Sequence, residues 1–83
     1  MLFLAELYLP HGGQVREVAQ RARAGAASAA DQGLTVGVVQ AVFVPLDECC
    51  FVLYESESIA GVTAAGALAG LEFDRVSAAE AVL

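Results

Sequence analysis

Apolar and polar positions alternate over residues 2–9. Phe3, Ala5, Leu7 and Leu9 fall on one side, and Leu2, Leu4, Glu6 and Tyr8 on the other. This is the mark of a half-buried strand. Pro10-His11-Gly12-Gly13 ends it, because proline lacks an amide donor and the glycines admit turn conformations. From Gln14 to Gln32 the period changes to that of a helix. Val15, Val18, Ala19, Ala22 and Ala26 form one apolar stripe, and Gly33 stands where a helix ends in a left-handed residue. The many alanines let this helix lie close to a sheet. Glu17 and Arg21 are spaced for an i, i+4 pair worth about 0.2–0.5 kcal/mol. Residues 35–44, TVGVVQAVFV, predict a second strand, with Val36, Val38, Gln40, Val42 and Val44 on one face and Val39, Ala41 and Phe43 on the other. Pro45-Leu46-Asp47-Glu48 turns the chain, and residues 49–55 return as the second arm of a hairpin. Ser56 is the expected N-cap of a second helix, with Glu57 in its first turn and Ile59, Val62, Ala65, Leu68 and Ala69 as its buried side. Gly70 stops that helix. A last strand runs from Arg75 to about Val82, where Val76, Ala78, Glu80 and Val82 alternate with Ser77, Ala79 and Ala81.

Strand, helix, strand, strand, helix, strand is the βαββαβ order of a ferredoxin-like α+β domain, here residues 1–83. The layout predicts a four-stranded antiparallel sheet with two helices on one face, leaving the other face for a partner or a ligand. The composition agrees with that incompleteness. A chain this short buries only roughly 60–65 % of its unfolded surface. Its hydrophobic content of 58 % exceeds the average of about 45–50 %, so an apolar interface or cavity is expected.

The same excess raises the question of a membrane. Gln32 to Leu46 is interrupted by Gly33, Gly37, Gln40 and Pro45, and Ser58 to Leu71 is shorter than the roughly 18 apolar residues that a spanning helix requires. Glu6 lies where a secretory leader would still be apolar, and neither a basic start nor a small-residue cleavage site is evident. The expected location is cytoplasmic, with no membrane partner. The net charge of −6 comes from ten acids against four arginines and no lysine. Only Arg16, Arg21 and Arg23 lie near one another, with Glu17 among them, so nucleic acid is not an expected partner. Cys49 and Cys50 are adjacent, a spacing that suits neither a zinc pair nor a CxxC redox motif. They read as two reduced thiols in a reducing compartment.

Candidate chemistry is sparse. Glu6, Glu55 and Glu80 lie on predicted strands, and with the first strand central between the third and fourth, two or three of these carboxylates are expected as neighbours. Glu6 shares its side with Leu2, Leu4 and Tyr8, assigned to the open face because the other set is wholly apolar. Tyr54 and Glu80 are expected to join it. A carboxylate on a largely apolar face is desolvated, the condition for acid/base work near neutral pH. One reading is therefore a cofactor-independent isomerase or cyclase of a hydrophobic small molecule, with Glu6 as acid/base and Tyr8 or Tyr54 as hydrogen-bond donor. The structural alternative pairs Glu6 and Glu55 with Arg75 or with backbone donors at strand ends. His11, the sole histidine, reads either as a proton shuttle or metal ligand at the mouth of the open face or as a solvated turn residue. Gly12-Gly13 lacks the spacing of a phosphate-binding loop.

Four segments, LAELYLPHGG, VVQAVFVPLDE, FVLYES and ALAGLEFDRVSAAEAV, carry a resemblance spanning nearly the whole chain. Its best pieces are Glu6, Tyr54-Glu55, Ala69-Gly70-Leu71 and Asp74-Arg75-Val76. Together these resemble the small nickel-binding, ferredoxin-like dimer family long catalogued as a domain of unknown function. The resemblance implies a homodimer, a dimeric α+β barrel in which two sheets pack face to face with polar groups between them. It also implies nickel or another divalent metal as ligand. Histidine is common in that family where this chain has Gln40 and Ala65. The metal reading then falls to His11, Glu6 and Glu55, and a small-molecule reading to Glu6, Tyr8, Gln40, Tyr54 and Glu80. Three classes follow: a small-ligand or metal-binding dimer, which is the preferred one, a cofactor-free enzyme, and a non-catalytic assembly module.

Overall fold

A computed structural model describes residues 1–10 and 14–82. Its elements are β1 (Leu2–Tyr8), α1 (Val15–Asp31), β2 (Val36–Val44), β3 (Cys49–Ser56), α2 (Ile59–Ala69) and β4 (Arg75–Ala79), with a 3-10 turn at Pro45–Asp47. The strands form one antiparallel sheet in the order β2-β3-β1-β4. This is the ferredoxin-like α+β architecture that the alternation of periods predicts. β4 is shorter than expected and ends at Ala79.

The core lies between the helices and one face of the sheet. Phe3, Ala5, Cys50, Val52 and Tyr54 meet Val18, Ala22, Ala26 and Ala29 of α1 and Val62 and Ala65 of α2. Small residues set the spacing of the helices. A β-carbon built on Gly25 would overlap the carbonyl oxygen of Ala65 and come within 2.7 Å of the Ala69 Cβ. α1 and α2 therefore touch backbone to backbone, as small side chains permit. Arg21 does not serve the expected pair with Glu17. It reaches across to α2, where Nε donates to the Ala69 carbonyl at 3.0 Å and Nη2 to that of Gly70 at 2.8 Å. The last turn of α2 has no basic residue of its own, so Arg21 supplies the cation that the negative end of the helix dipole favours.

Three local expectations are corrected. Ser58, not Ser56, caps α2, with its side chain accepting from the Gly61 amide at 3.3 Å. Ser56 is buried as the last residue of β3, and its hydroxyl donates to the Ser58 carbonyl at 2.9 Å. Ser58→Ala should lower stability by about 1 kcal/mol in a urea melt. Ile59 and Leu68 are exposed instead of buried; the inward side of α2 is Gly61, Val62, Ala65, Gly66 and Ala69. α2 is apolar on every side, so its pattern does not tell inside from outside. Finally, β2 does not keep one phase. The register passes from Val38↔Tyr54 to Gln40↔Leu53 and leaves Val39 unpaired as a β-bulge. Val36 and Val38 thus pack on the core side with Ala41 and Phe43, while Gln40, Val42 and Val44 move to the opposite face.

Candidate functional site

The face away from the helices is a grid whose rows follow from the registers. One row is Val44, Cys49 and Tyr8; the next is Val42, Phe51, Glu6 and Arg75; the third is Gln40, Leu53, Leu4 and Ser77; the last is Gly37, Glu55, Leu2 and Ala79. The middle of this face is apolar. Leu2, Leu4, Phe51 and Leu53 are half-buried, and Val42 is exposed. Nothing in the chain's helices covers these side chains.

Glu6 and Arg75 stand opposite each other across β1 and β4. Glu6 Oε2 lies 3.7 Å from Arg75 Nε, the Glu6 side chain being 28 % exposed and that of Arg75 71 %. Arg75 Nε also donates to Ser77 Oγ at 3.0 Å. The start of β4 is fixed against β1 by two short bonds: the Asp74 amide donates to the Glu6 carbonyl at 2.8 Å, and the Tyr8 amide donates to Asp74 Oδ2 at 2.7 Å. These bonds hold Arg75 in register with Glu6. Glu55 is on the same face but at its far end, where the Met1 ammonium donates to it at 2.8 Å. Four residues of strand, about 13 Å, separate the row of Glu6 from that of Glu55. The two carboxylates are not neighbours.

Other expected site residues are divided between the two faces. Tyr8 and Gln40 lie with Glu6 on the open face, Gln40 only because the bulge puts it there. Tyr54 is a correction. Its register partners Phe3 and Val38 belong to the core, it has no exposure to solvent, and it meets Phe73 edge to face at 6.0 Å. It is therefore closed off from Glu6 by the sheet itself. Its hydroxyl finds no hydrogen-bond partner among the described residues, and burial pushes its pKa up to about 12. Glu80 is also corrected. It lies past the end of β4, exposed, on the alternation of Val76 and Ala78, and lines an open depression of 580 Å³ with Met1, Leu2, Ala78 and Ala79.

His11 falls outside the described residues. Among the described residues no three His, Cys, Asp or Glu side chains gather closely enough to hold a metal ion, and Glu6 and Glu55 stand at different ends of the open face. Gln40 and Ala65 are on opposite sides of the sheet: Gln40 is on the open face, and Ala65 is fully buried between the helices and the strands. Both cysteines are free thiols. Cys49 shares the open face, while Cys50 is in the core with its pKa raised by burial and then by Cys49. Among the described residues no helix is long and apolar enough to cross a membrane.

Arg75 is the functional candidate that residue patterns passed over, having been considered only as a partner for a carboxylate. The signal was available: the alternation Arg75, Ser77, Ala79 and an antiparallel neighbour in β1 put a guanidinium beside Glu6.

No protein-family model matches this chain, and no curated protein matches it. Among solved structures it is similar to SCO4226 of Streptomyces coelicolor A3(2), with a TM-score of 0.80, 22 % sequence identity and coverage of 100 % of both chains. At that identity the likeness is one of fold, and the two chains share the ferredoxin-like α+β architecture from end to end.

Proposed function

We propose that this protein is a homodimer whose open sheet faces stack on each other and hold a small, largely apolar organic molecule between them. The observation that carries the reading is the uncovered grid of Leu2, Leu4, Val42, Val44, Phe51 and Leu53, with the Glu6–Arg75 pair set into it. Four strands and four rows span on the order of 20 Å by 20 Å. That plan area of about 400 Å² is roughly half of the 800 Å² that each partner contributes to a standard interface, so the face would form the centre of a dimer seam. A two-fold arrangement brings the same patch of each copy to the seam.

A bound organic molecule suits the face better than the other readings. A metal ion requires converging ligands, which the described residues do not supply. An acid/base enzyme built on Glu6 and Tyr54 would need both on one face, and Tyr54 is beneath the helices.

Sedimentation equilibrium tests the dimer. The wild-type protein should run as two copies, and Leu53→Asp, which places a charge in the middle of the apolar face, should weaken association by about 100-fold or more with the far-ultraviolet circular dichroism unchanged. A monomeric wild-type protein overturns the proposal.

A further inference from the structure

We infer that the molecule held on the open face is a small apolar carboxylate, anchored by Arg75. The inference rests on the proposed function and adds to it the class of ligand. Three of the four arginines belong to α1, leaving Arg75 as the sole arginine outside it and, among the described residues, the only cationic side chain in the open grid. Its guanidinium is engaged at one atom. Nε meets Ser77 Oγ at 3.0 Å and Glu6 Oε2 at 3.7 Å, while among the described residues neither terminal amino group has a hydrogen bond. The fork is thus steadied along one edge and free along its end, where two parallel N–H groups match the two oxygens of a carboxylate. An incoming carboxylate at that end leaves the contact at Nε in place.

The surroundings fit the rest of such a molecule. The row next to Arg75 continues through Ser77 to Leu4 and Leu53, and the row beyond it reaches Leu2, an apolar track leading away from the guanidinium. Burying apolar surface along it supplies a non-directional attraction, and Arg75 supplies direction and selects for charge. Glu6 has the opposite effect. Its carboxylate offsets part of the Arg75 charge, so it weakens the attraction for a second carboxylate.

The test is calorimetric titration of the wild-type protein with octanoate and with 1-octanol, alongside sedimentation of the same samples. Octanoate should bind about 10-fold or more tightly than 1-octanol, the difference expected of a charge-assisted contact. Arg75→Gln, at an exposed position, should bring octanoate down to the level of 1-octanol without changing the affinity for 1-octanol. Arg75→Lys should fall between, because a single ammonium does not reproduce the fork. Glu6→Gln should tighten octanoate several-fold, a gain that a merely structural ion pair would not give. Equal binding of acid and alcohol, or octanoate binding unaltered by Arg75→Gln, overturns the carboxylate class while a dimeric sedimentation profile leaves the stacked faces standing. A dimer that binds neither compound overturns the ligand. A monomer that binds octanoate through Arg75 overturns the stacked dimer and retains the anchor.

Discussion

Gly25→Ala is expected to destabilise the protein by about 3 kcal/mol, at the upper end of what overpacking costs. The added methyl has nowhere to go. It would overlap the backbone carbonyl of Ala65 and lie within 2.9 Å of the Ala69 amide nitrogen and 2.7 Å of its Cβ, and a backbone does not move aside as a flexible side chain does. α1 and α2 must therefore separate. Separation also lengthens the two bonds by which Arg21 closes the end of α2, so one substitution disturbs packing and capping together. For a chain of 83 residues, whose whole stability is of order 4–12 kcal/mol, the loss should appear as a fall in Tm of more than about 12 °C. Gly37→Ala is the comparison, since a β-carbon there meets no atom within 4 Å. It should leave the Tm unchanged or slightly raised. A Gly25→Ala protein within about 1 kcal/mol of wild type would contradict the close helix crossing.

Tyr54→Phe should act in the other direction, raising stability by about 1 kcal/mol at neutral pH, because it removes a buried hydroxyl that lacks a partner. The ring and its contact with Phe73 remain. The substitution should also change the alkaline limb of the stability curve. The unfolded phenol ionises near pH 10 and the folded one near 12, burial being the cause. Between those values the folded chain retains a proton that the unfolded chain has lost. Stability is therefore fully present below about pH 10 and falls as pH rises toward 12, at up to about 1.4 kcal/mol per pH unit. Cys50, whose thiol is also raised by burial, produces a loss of the same sign that the phenylalanine variant keeps. Urea melts across pH 8 to 12 separate the two contributions. If Tyr54→Phe lost stability at neutral pH, the hydroxyl would have to be satisfied by a group other than the described side chains.

The βαββαβ order was legible because the change from alternation to helical period is abrupt at Gln14, and because Pro10, Gly33, Pro45 and Gly70 stand at the boundaries. The faces were harder to read. In TVGVVQAVFV both parities are apolar, so no change of residue type marks the slip at Val39. The same double apolarity in CCFVLYES hid the inward direction of Tyr54, and its phenol suggested an exposed role that its register partner Phe3 rules out. The cap of α2 was misplaced by two residues because Ser56 and Ser58 are alike as capping residues, and only the fold shows which of them begins the helix. Glu6 was identified on the open face from the first strand alone. Arg75 was among the partners weighed for it, and the antiparallel register between strands nearly seventy residues apart brings the two side by side.

The unpaired residue in β2 also bears on strand addition at the edges of the sheet. β2 and β4 are the outer strands of the sheet, and an outer strand presents amide and carbonyl groups on which further strands can be added. A protein without lysine lacks the charged side chain most often used to discourage such growth. At Val39, which is 55 % exposed, the bulge bends and twists β2 so that a straight strand cannot dock along its length. At the other edge β4 offers only five residues. Fibre-like extension in the hydrogen-bonding direction is therefore opposed at both edges by backbone geometry.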